Sequence, residues 1–440
     1  AALEPLPSEP LRSENAATPA LPARPLVLAE LIDIALRTSP ATRATWHAAR
    51  SAAAEVGSRR AAYLPPLEAT GTLTRSHTSA LGGRYVIEQT TYGPALTASW
   101  LLLDFGARSA ALDEAREALV AADWGHHAAL QQVILSVEQS YYDYVDARAR
   151  LAAAESSVHE AETSLRAAEE RLAAGVAAQL EVLQARTARS QARLLAQQLA
   201  GRIEGLRGAL AVSLGLPAST VVEVESPPEQ VPAEAMARDV GDLIAEAMRQ
   251  RPELAAVRAV ALGAATKVRS ARAGALPSLS AVGQAGRTYY EPHPYARYGD
   301  NWSGGLVLRW PLFSGLSTHY DAAQAQSDAA AAAARVDSVA QQVALEVWQS
   351  YHDLKTAGRA LESARDLVES AAQAERVAAG RYEQGVGDLL DLLTAQATLA
   401  SARAQQIGTR SDWYVAVARL AHSIGALAST SPGSPIHDRP

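Results

Sequence analysis

The residues of this 440-residue chain best placed to do chemistry form a short set of incomplete motifs. His159-Glu160-Ala161-Glu162-Thr163 begins like the HExxH helix of zinc hydrolases, where two histidines four apart share one helix face and hold the metal. Thr163 stands where the second ligand is required. Gly385-Val386-Gly387 has Leu390 where a dinucleotide fingerprint needs its third glycine, and it precedes a helix without a strand before it. Neither Lys267 nor Lys355 follows a glycine, so no phosphate loop is present. His126 and His127 are adjacent, and neighbours on a helix point apart. With no cysteine in the chain, thiol catalysis and cysteine-ligated metal are excluded as well. These failures predict a protein that is not an enzyme and needs neither cofactor nor metal. Asp388 and Asp391, three apart, do share a helix face. They read either as a solvated helix start favoured by the dipole or as a place that attracts cations.

The elements around these residues have an unusual composition. Hydrophobic residues make up 48%, yet aromatics only 5%, so the apolar content is mostly Ala, Leu and Val, a helix-packing mixture. No run of eighteen uncharged apolar residues occurs, which excludes a membrane-spanning helix and leaves strands as the means of any crossing. The net charge is −7 and basic residues are scattered, so no nucleic-acid partner is expected. A start at Ala1-Ala2-Leu3 without Met predicts a secreted chain whose signal peptide has been removed, and no cysteine is there to accept a lipid.

The chain is duplicated. Pro40 recurs as Pro252 and Pro65 as Pro277, 212 residues on; Trp100 recurs as Trp310, Tyr141 as Tyr351 and Gly175 as Gly385, 210 residues on. The difference of two falls between Pro65 and Trp100, where a loop tip absorbs it cheaply. This predicts an extended or disordered arm over 1–26, a first repeat over 27–216, a linker over 217–238, a second repeat over 239–426 and a disordered tail over 427–440. Six prolines by residue 25 forbid a helix in the arm.

Each repeat holds a proline-free stretch, about 105–173 and 316–383, long enough for a helical rod of about 100 Å. Ala147, Ala154, Ala161 and Ala168 recur every seven residues beside Leu151, Val158, Leu165 and Leu172. Ala357, Ala364, Ala371 and Ala378 repeat the pattern beside Leu361, Val368, Glu375 and Tyr382. One small and one large position make a heptad seam that lets helices approach closely. Turns containing Gly175-Val176 and Gly385-Val386-Gly387 then return the chain as a second helix, to about 214 and 426, because glycine supplies the left-handed stop.

Between the helices the period changes to two. Tyr92, Leu96, Ala98 and Trp100 alternate with Thr91, Gly93, Thr97 and Ser99, and Trp302 to Trp310 does likewise. Leu67–Ser76 and Leu279–Tyr290 are the partner strands, giving pairs within about 67–103 and 278–313, with Pro94 expected to mark a bulge. Strands of about ten residues with aromatic ends suit an outer-membrane barrel, Trp100 and Trp310 at one interface and Tyr289, Tyr290, Tyr298 and Trp302 at the other. Four strands cannot close a barrel, and open edges are not tolerated in lipid, so several copies must share one.

Over about 27–426 the chain resembles the TolC-type outer membrane factors. The likeness is carried by the duplication, by Tyr63-Leu64-Pro65, by Trp-Leu-Leu-Leu-Asp-Phe-Gly at 100–106 and Trp-Pro-Leu-Phe-Ser-Gly at 310–315, and by Tyr-Glu-Gln-Gly-Val-Gly-Asp-Leu-Leu-Asp-Leu-Leu at 382–393. The resemblance implies a mainly α protein with β: long antiparallel helical hairpins forming a periplasmic tunnel, and four strands per chain in a shared twelve-stranded barrel of a homotrimer. It implies an exit duct for a tripartite efflux pump or type I secretion system, docked on a periplasmic adaptor and an inner-membrane pump and set in outer-membrane lipid. It places the acid of the pore constriction on Asp391; a second acid position is Thr394, a departure from the pattern. Tyr382 and Glu181 match a tether of the closed mouth, and the basic tether position is occupied by Gly387. Like charges about 8 Å apart around such a mouth would repel by roughly 2 kcal/mol per pair and raise their pKa values. The turns Gly175-Val176 and Gly385-Val386-Gly387 are the expected adaptor-docking tip. A soluble coiled-coil scaffold is the rival reading, and the alternating strands, which a scaffold does not need, decide against it.

Overall fold

A computed structural model describes residues 22, 24–80, 82, 84–227, 238–293 and 296–428. Most of the expected arm and tail, and much of the expected linker, lie outside these residues. In chain order the elements are α1 (Leu28–Thr38), α2 (Pro40–Ala61), β1 (Leu67–Ala80), β2 (Tyr85–Leu103), α3 (Ala107–Ala173) and α4 (Gln179–Ser213). The set then repeats as α5 (Val240–Gln250), α6 (Pro252–Ala273), β3 (Ser278–Glu291), β4 (Tyr298–Arg309), α7 (Ser317–Glu383) and α8 (Leu389–Ser423). The duplication is thus carried element by element. Pro40 and Pro252 each open a helix, where the missing N–H costs nothing and the fixed φ is already helical.

The chain divides into two compact units, each drawing on both repeats. One contains Ala1–Thr45, His126–Pro252 and Ala340–Pro440, the other Trp46–Gly125 and Glu253–Val339. In the first unit a core of Leu31, Ala35, Val137, Tyr141, Leu210, Leu214 and Val222 gathers α1, α3 and α4. A short parallel bridge between Leu26 and Val224 closes it, and the Tyr141 hydroxyl donates to the Glu225 carbonyl at 2.6 Å. The expected alanine seam is buried in α3, where Ala147, Ala154, Ala161 and Ala168 are all within 7% exposure. α8 runs against α3: Arg403 pairs with Glu160 at 3.0 Å, Gln396 accepts from Ser164, and Tyr414 stacks on Tyr142 with ring centres 4.9 Å apart.

The second unit carries a four-stranded antiparallel sheet in the order β1-β2-β3-β4. The registers Leu67↔Ala98, Leu96↔Ala285 and Ala285↔Trp302 put Leu67, Leu73, Leu96, Trp100, Ala281, Trp302, Leu306 and Leu308 on one face. The other face holds Glu68, Thr97, Ser99, Gln284 and Ser303, which line a shallow groove. The strands are longer than the apolar alternation suggested, 14 and 19 residues in the first hairpin. Their outer parts set Ser76, His77, Thr78 and Ser79 against Gln89, Glu88, Ile87 and Val86; the two apolar residues are adjacent, so strand structure continues there without a period of two to reveal it.

Pro94 does not form the expected bulge. The register runs through it unbroken against Gly71, while pairing to β3 lapses opposite Gly93 and Pro94 and resumes in the same register, the proline having no N–H to give. The register shift of β2 lies instead at Leu101 and Leu103, where the strand leaves the sheet. There Arg108 uses its whole guanidinium: Nε donates to Asp104 at 3.1 Å, Nη1 to the Ala62 and Leu101 carbonyls, and Nη2 to the Leu102 carbonyl. The cation also lies 4.8 Å from the centre of the Tyr63 ring.

Candidate gate at the helical turns

Both long hairpins turn by the same device. Gly175 and Gly385 have φ of +75° and +72°, the left-handed conformation that ends a helix at little cost only for glycine. In each turn the glycine amide donates three residues back, to Leu172 or Tyr382, and the following valine amide donates five back, to Arg171 or Arg381. This six-residue stop satisfies the last carbonyls of the helix. Neither glycine is crowded: a Cβ on either would meet nothing within 4 Å, so the constraint is conformational. Val176 and Val386 project at 65% and 69% exposure. Gly387 differs, since a Cβ there would lie 2.9 Å from Cβ of Arg381, against the end of α7.

The acidic residues start the returning helices. Asp388 is the N-cap of α8, accepting the Leu390 amide at 3.1 Å, so its carboxylate is engaged with the helix. Glu181 reaches back to the Ala178 amide at 3.3 Å and belongs to the first turn of α4. Asp391 holds the same third helical position in α8 that Glu181 holds in α4 and is exposed. Thr394, one turn on, returns its hydroxyl to the Leu390 carbonyl at 2.7 Å. A shallow groove beside Asp391 is lined by Val377, Ala378, Arg381, Gly387 and Ala395.

Under the turns the two hairpins share a core of Leu165, Ala168, Val182, Ala185, Tyr382, Leu389 and Leu392. Tyr382 is 4% exposed, and its hydroxyl has no hydrogen-bond partner among the described residues. Burial raises the phenol above its usual range; Arg171 opposes the shift, and Glu181 and Asp388 add to it. Glu181 therefore faces Tyr382 through charge without a hydrogen bond between them. The residue that grips Tyr382 is Arg171, whose guanidinium lies 4.7 Å from the ring centre and donates to the Tyr382 carbonyl at 3.2 Å. Arg171 was not singled out in the sequence, although an arginine four residues before the glycine occurs in both turns.

The expected interface aromatics divide. Trp302 and Trp310 are open, at 85% and 60% exposure, and Trp100 donates its indole N–H to the Tyr63 carbonyl at 3.0 Å. Tyr289 stacks on Tyr92, ring centres 5.2 Å apart, on the apolar face. Tyr290, the next residue along the strand, belongs to the opposite face, beside Gly299. The described residues contain no helix apolar enough to cross a membrane and no group of three metal-ligating side chains.

Comparison with known proteins agrees with this architecture. A family model described as outer membrane efflux protein matches residues 31–216 and 243–426, the two repeats. Protein CyaE of Bordetella pertussis is 30% identical over 413 residues, covering 93% of this chain and 86% of that protein. The toluene efflux pump outer membrane protein TtgC of Pseudomonas putida is 26% identical over 377 residues, covering 83% and 76%. The outer-membrane channel OprN superposes with a TM-score of 0.81 at 24% identity, covering 91% of this chain and 90% of that one. The outer membrane protein VceC of Vibrio cholerae does so at 0.80 and 21%, covering 90% and 96%. Two repeats, two glycine-stopped hairpins and a four-stranded sheet with one apolar face are thus the fold of known outer-membrane channels, and the chain belongs to the outer membrane efflux protein family, whose members are channels and not enzymes.

Proposed function

We propose that three copies of this chain close one twelve-stranded barrel in the outer membrane and form the exit duct of a tripartite efflux pump or type I secretion system. The observation that carries this reading is the sheet: four strands, one apolar face, one polar face, and β1 and β4 left as edges. An open edge in lipid leaves backbone groups unsatisfied, and four strands are too few to close. Joining β4 of one copy to β1 of the next removes every edge. The pump-related name of the relative TtgC supports a periplasmic adaptor and an inner-membrane pump as partners. The repeats over 27–216 and 239–426 then act as two equivalent staves of the duct wall, and transport through it is passive.

In this reading Asp391 lines the periplasmic mouth, with Glu181 in the equivalent place on the other hairpin; Asp388 contributes charge while capping α8, and Thr394 replaces a second acid. Tyr382 and Glu181 stand beside that mouth, facing each other through charge and not through a hydrogen bond. Gly175, Val176, Gly385, Val386 and Gly387 form the tip on which the adaptor docks. Trp100, Trp302, Trp310 and Tyr289 anchor the sheet at the lipid interfaces. The test is the mass of the protein solubilised in detergent. A particle of three 46.3 kDa chains with ion conductance in planar bilayers is expected; a folded monomer without conductance overturns the reading.

A further inference from the structure

The internal duplication places one arginine device on each helical turn, and among the described residues the two devices meet different neighbours. Arg171, at the end of α3, crosses to the second hairpin and donates to the Tyr382 carbonyl at 3.2 Å. That same carbonyl also receives the Gly385 amide within the helix stop. The second hairpin repeats the device 210 residues on, with Arg381, Tyr382, Gly385 and Val386 standing where Arg171, Leu172, Gly175 and Val176 stand. The Leu172 carbonyl receives the Gly175 amide in the same way.

The outcomes of the two devices differ. Arg171 is half-buried on its target, whereas Arg381 is exposed, and among the described residues its guanidinium has no hydrogen-bond or ion-pair partner. Tyr382, the target, is buried; Leu172, its counterpart, is half-exposed. Ala168, beneath the contact, is 0% exposed, while its counterpart Ala378 remains partly open. Each chain therefore has a donor to spare on its second hairpin and an acceptor of the same kind to spare on its first.

A head-to-tail ring makes one interface repeatedly until it closes. When the repeating chain is itself two equivalent hairpins, the contact between chains reproduces the contact within the chain. We propose that Arg381 of one copy donates to the Leu172 carbonyl of the next copy, so that arginine clasps alternate within and between chains around the helical ends. This rests on the three-copy reading above. The charged donor makes each clasp stronger than a neutral hydrogen bond. The clasp between chains lacks the aromatic ring that Tyr382 offers Arg171 and depends on the carbonyl alone.

The chain has no cysteine, so pairs can be introduced without competing thiols. Arg381→Cys with Leu172→Cys, in the full chain in detergent, is treated with a short bismaleimide and resolved on a denaturing gel. The mass of the untreated particle is measured by light scattering in parallel. The expected result is a three-chain particle that yields covalent dimers and trimers. Arg171→Cys with Tyr382→Cys should react within the chain and give no larger product. A three-chain particle in which Arg381→Cys links no neighbour overturns the clasp and leaves the duct reading standing. A single-chain particle overturns both.

Discussion

Gly93 lies so close to Arg287 across β2 and β3 that a Cβ there would stand 1.8 Å from the Arg287 carbonyl oxygen. Backbone cannot yield by that distance while the strands stay paired. Gly93→Ala should therefore destabilise the sheet by about 2–3 kcal/mol, the cost of overpacking a fixed contact. Gly71, which pairs with Pro94 on the other side, has nothing within 4 Å of its missing Cβ. Gly71→Ala should stay within about 0.5 kcal/mol of the parent. Thermal melts followed by far-ultraviolet circular dichroism compare the two, and equal melting temperatures would refute the close-approach argument.

Arg108 ties the end of β2 to α2 and α3 through Asp104 and three carbonyls, with both charged side chains 13% exposed. Removing the cation leaves Asp104 as an uncompensated, largely buried charge. Arg108→Ala should cost about 3 kcal/mol. Arg108→Lys should recover little of this, because an ammonium cannot reproduce the fork geometry. Urea denaturation midpoints of the three proteins measure the difference.

At the turns, loss of Arg171 removes a cation over an aromatic ring and a charged hydrogen bond that together join the hairpins. Amides of the first turn of α8 should exchange about tenfold faster in Arg171→Ala, corresponding to about 1.4 kcal/mol. Burial holds the Tyr382 phenol above its usual range, so the contact is insensitive to pH through neutrality. The stability contributed by the neutral phenol is present below the unfolded value of about 10 and is lost only as pH rises beyond it. Hydrogen exchange at pH 6 and pH 8, corrected for intrinsic rates, should show the same effect of the substitution.

Glu138 on α3 is raised to about 7 by burial, and its Oε2 has no partner among the described residues. A carboxyl raised in the folded state favours folding while protonated. Its contribution is complete below the unfolded value, near 4.5, and is lost as pH rises through about 7. The protein should melt higher at pH 5.5 than at pH 8. Glu138→Gln should remove most of that difference and stabilise by about 2 kcal/mol at pH 8, allowing for partial exposure. An unchanged pH dependence in the variant would assign the effect to other groups.

Substitutions at Asp391 and at the two exposed valines test the proposed gate and the proposed docking surface separately. Asp391→Ala should raise the concentration of divalent cation needed for half-block of conductance about tenfold, a loss of about 1.4 kcal/mol of ion binding. Val176→Glu with Val386→Glu should leave particle mass and conductance unchanged and abolish export in cells, because both side chains are open and touch no core. Normal export by the double variant would move the docking site away from the turns.

The sequence by itself determined the repeat, the helical hairpins and the strands, because each is written in local terms. Period seven in alanine marks α3 and α7, period two marks the sheet, and glycine closes α3 and α7. The sequence did not show that β1 and β2 continue beyond their alternating stretch, since Val86 and Ile87 are adjacent among polar residues, nor that Pro94 sits in an unbroken register, since only the partner strand decides whether its missing N–H is needed. Tertiary structure alone decided that Arg171 has a target and that Arg381 has none among the described residues. Identical local surroundings, an arginine four residues before a left-handed glycine, meet different neighbours, and only packing of one hairpin on another can tell duplicated residues apart. The same cause puts Tyr382 in a core while Leu172, its counterpart, stays half-open: a repeat dictates what each hairpin offers, and the three-dimensional arrangement dictates which offer is taken up.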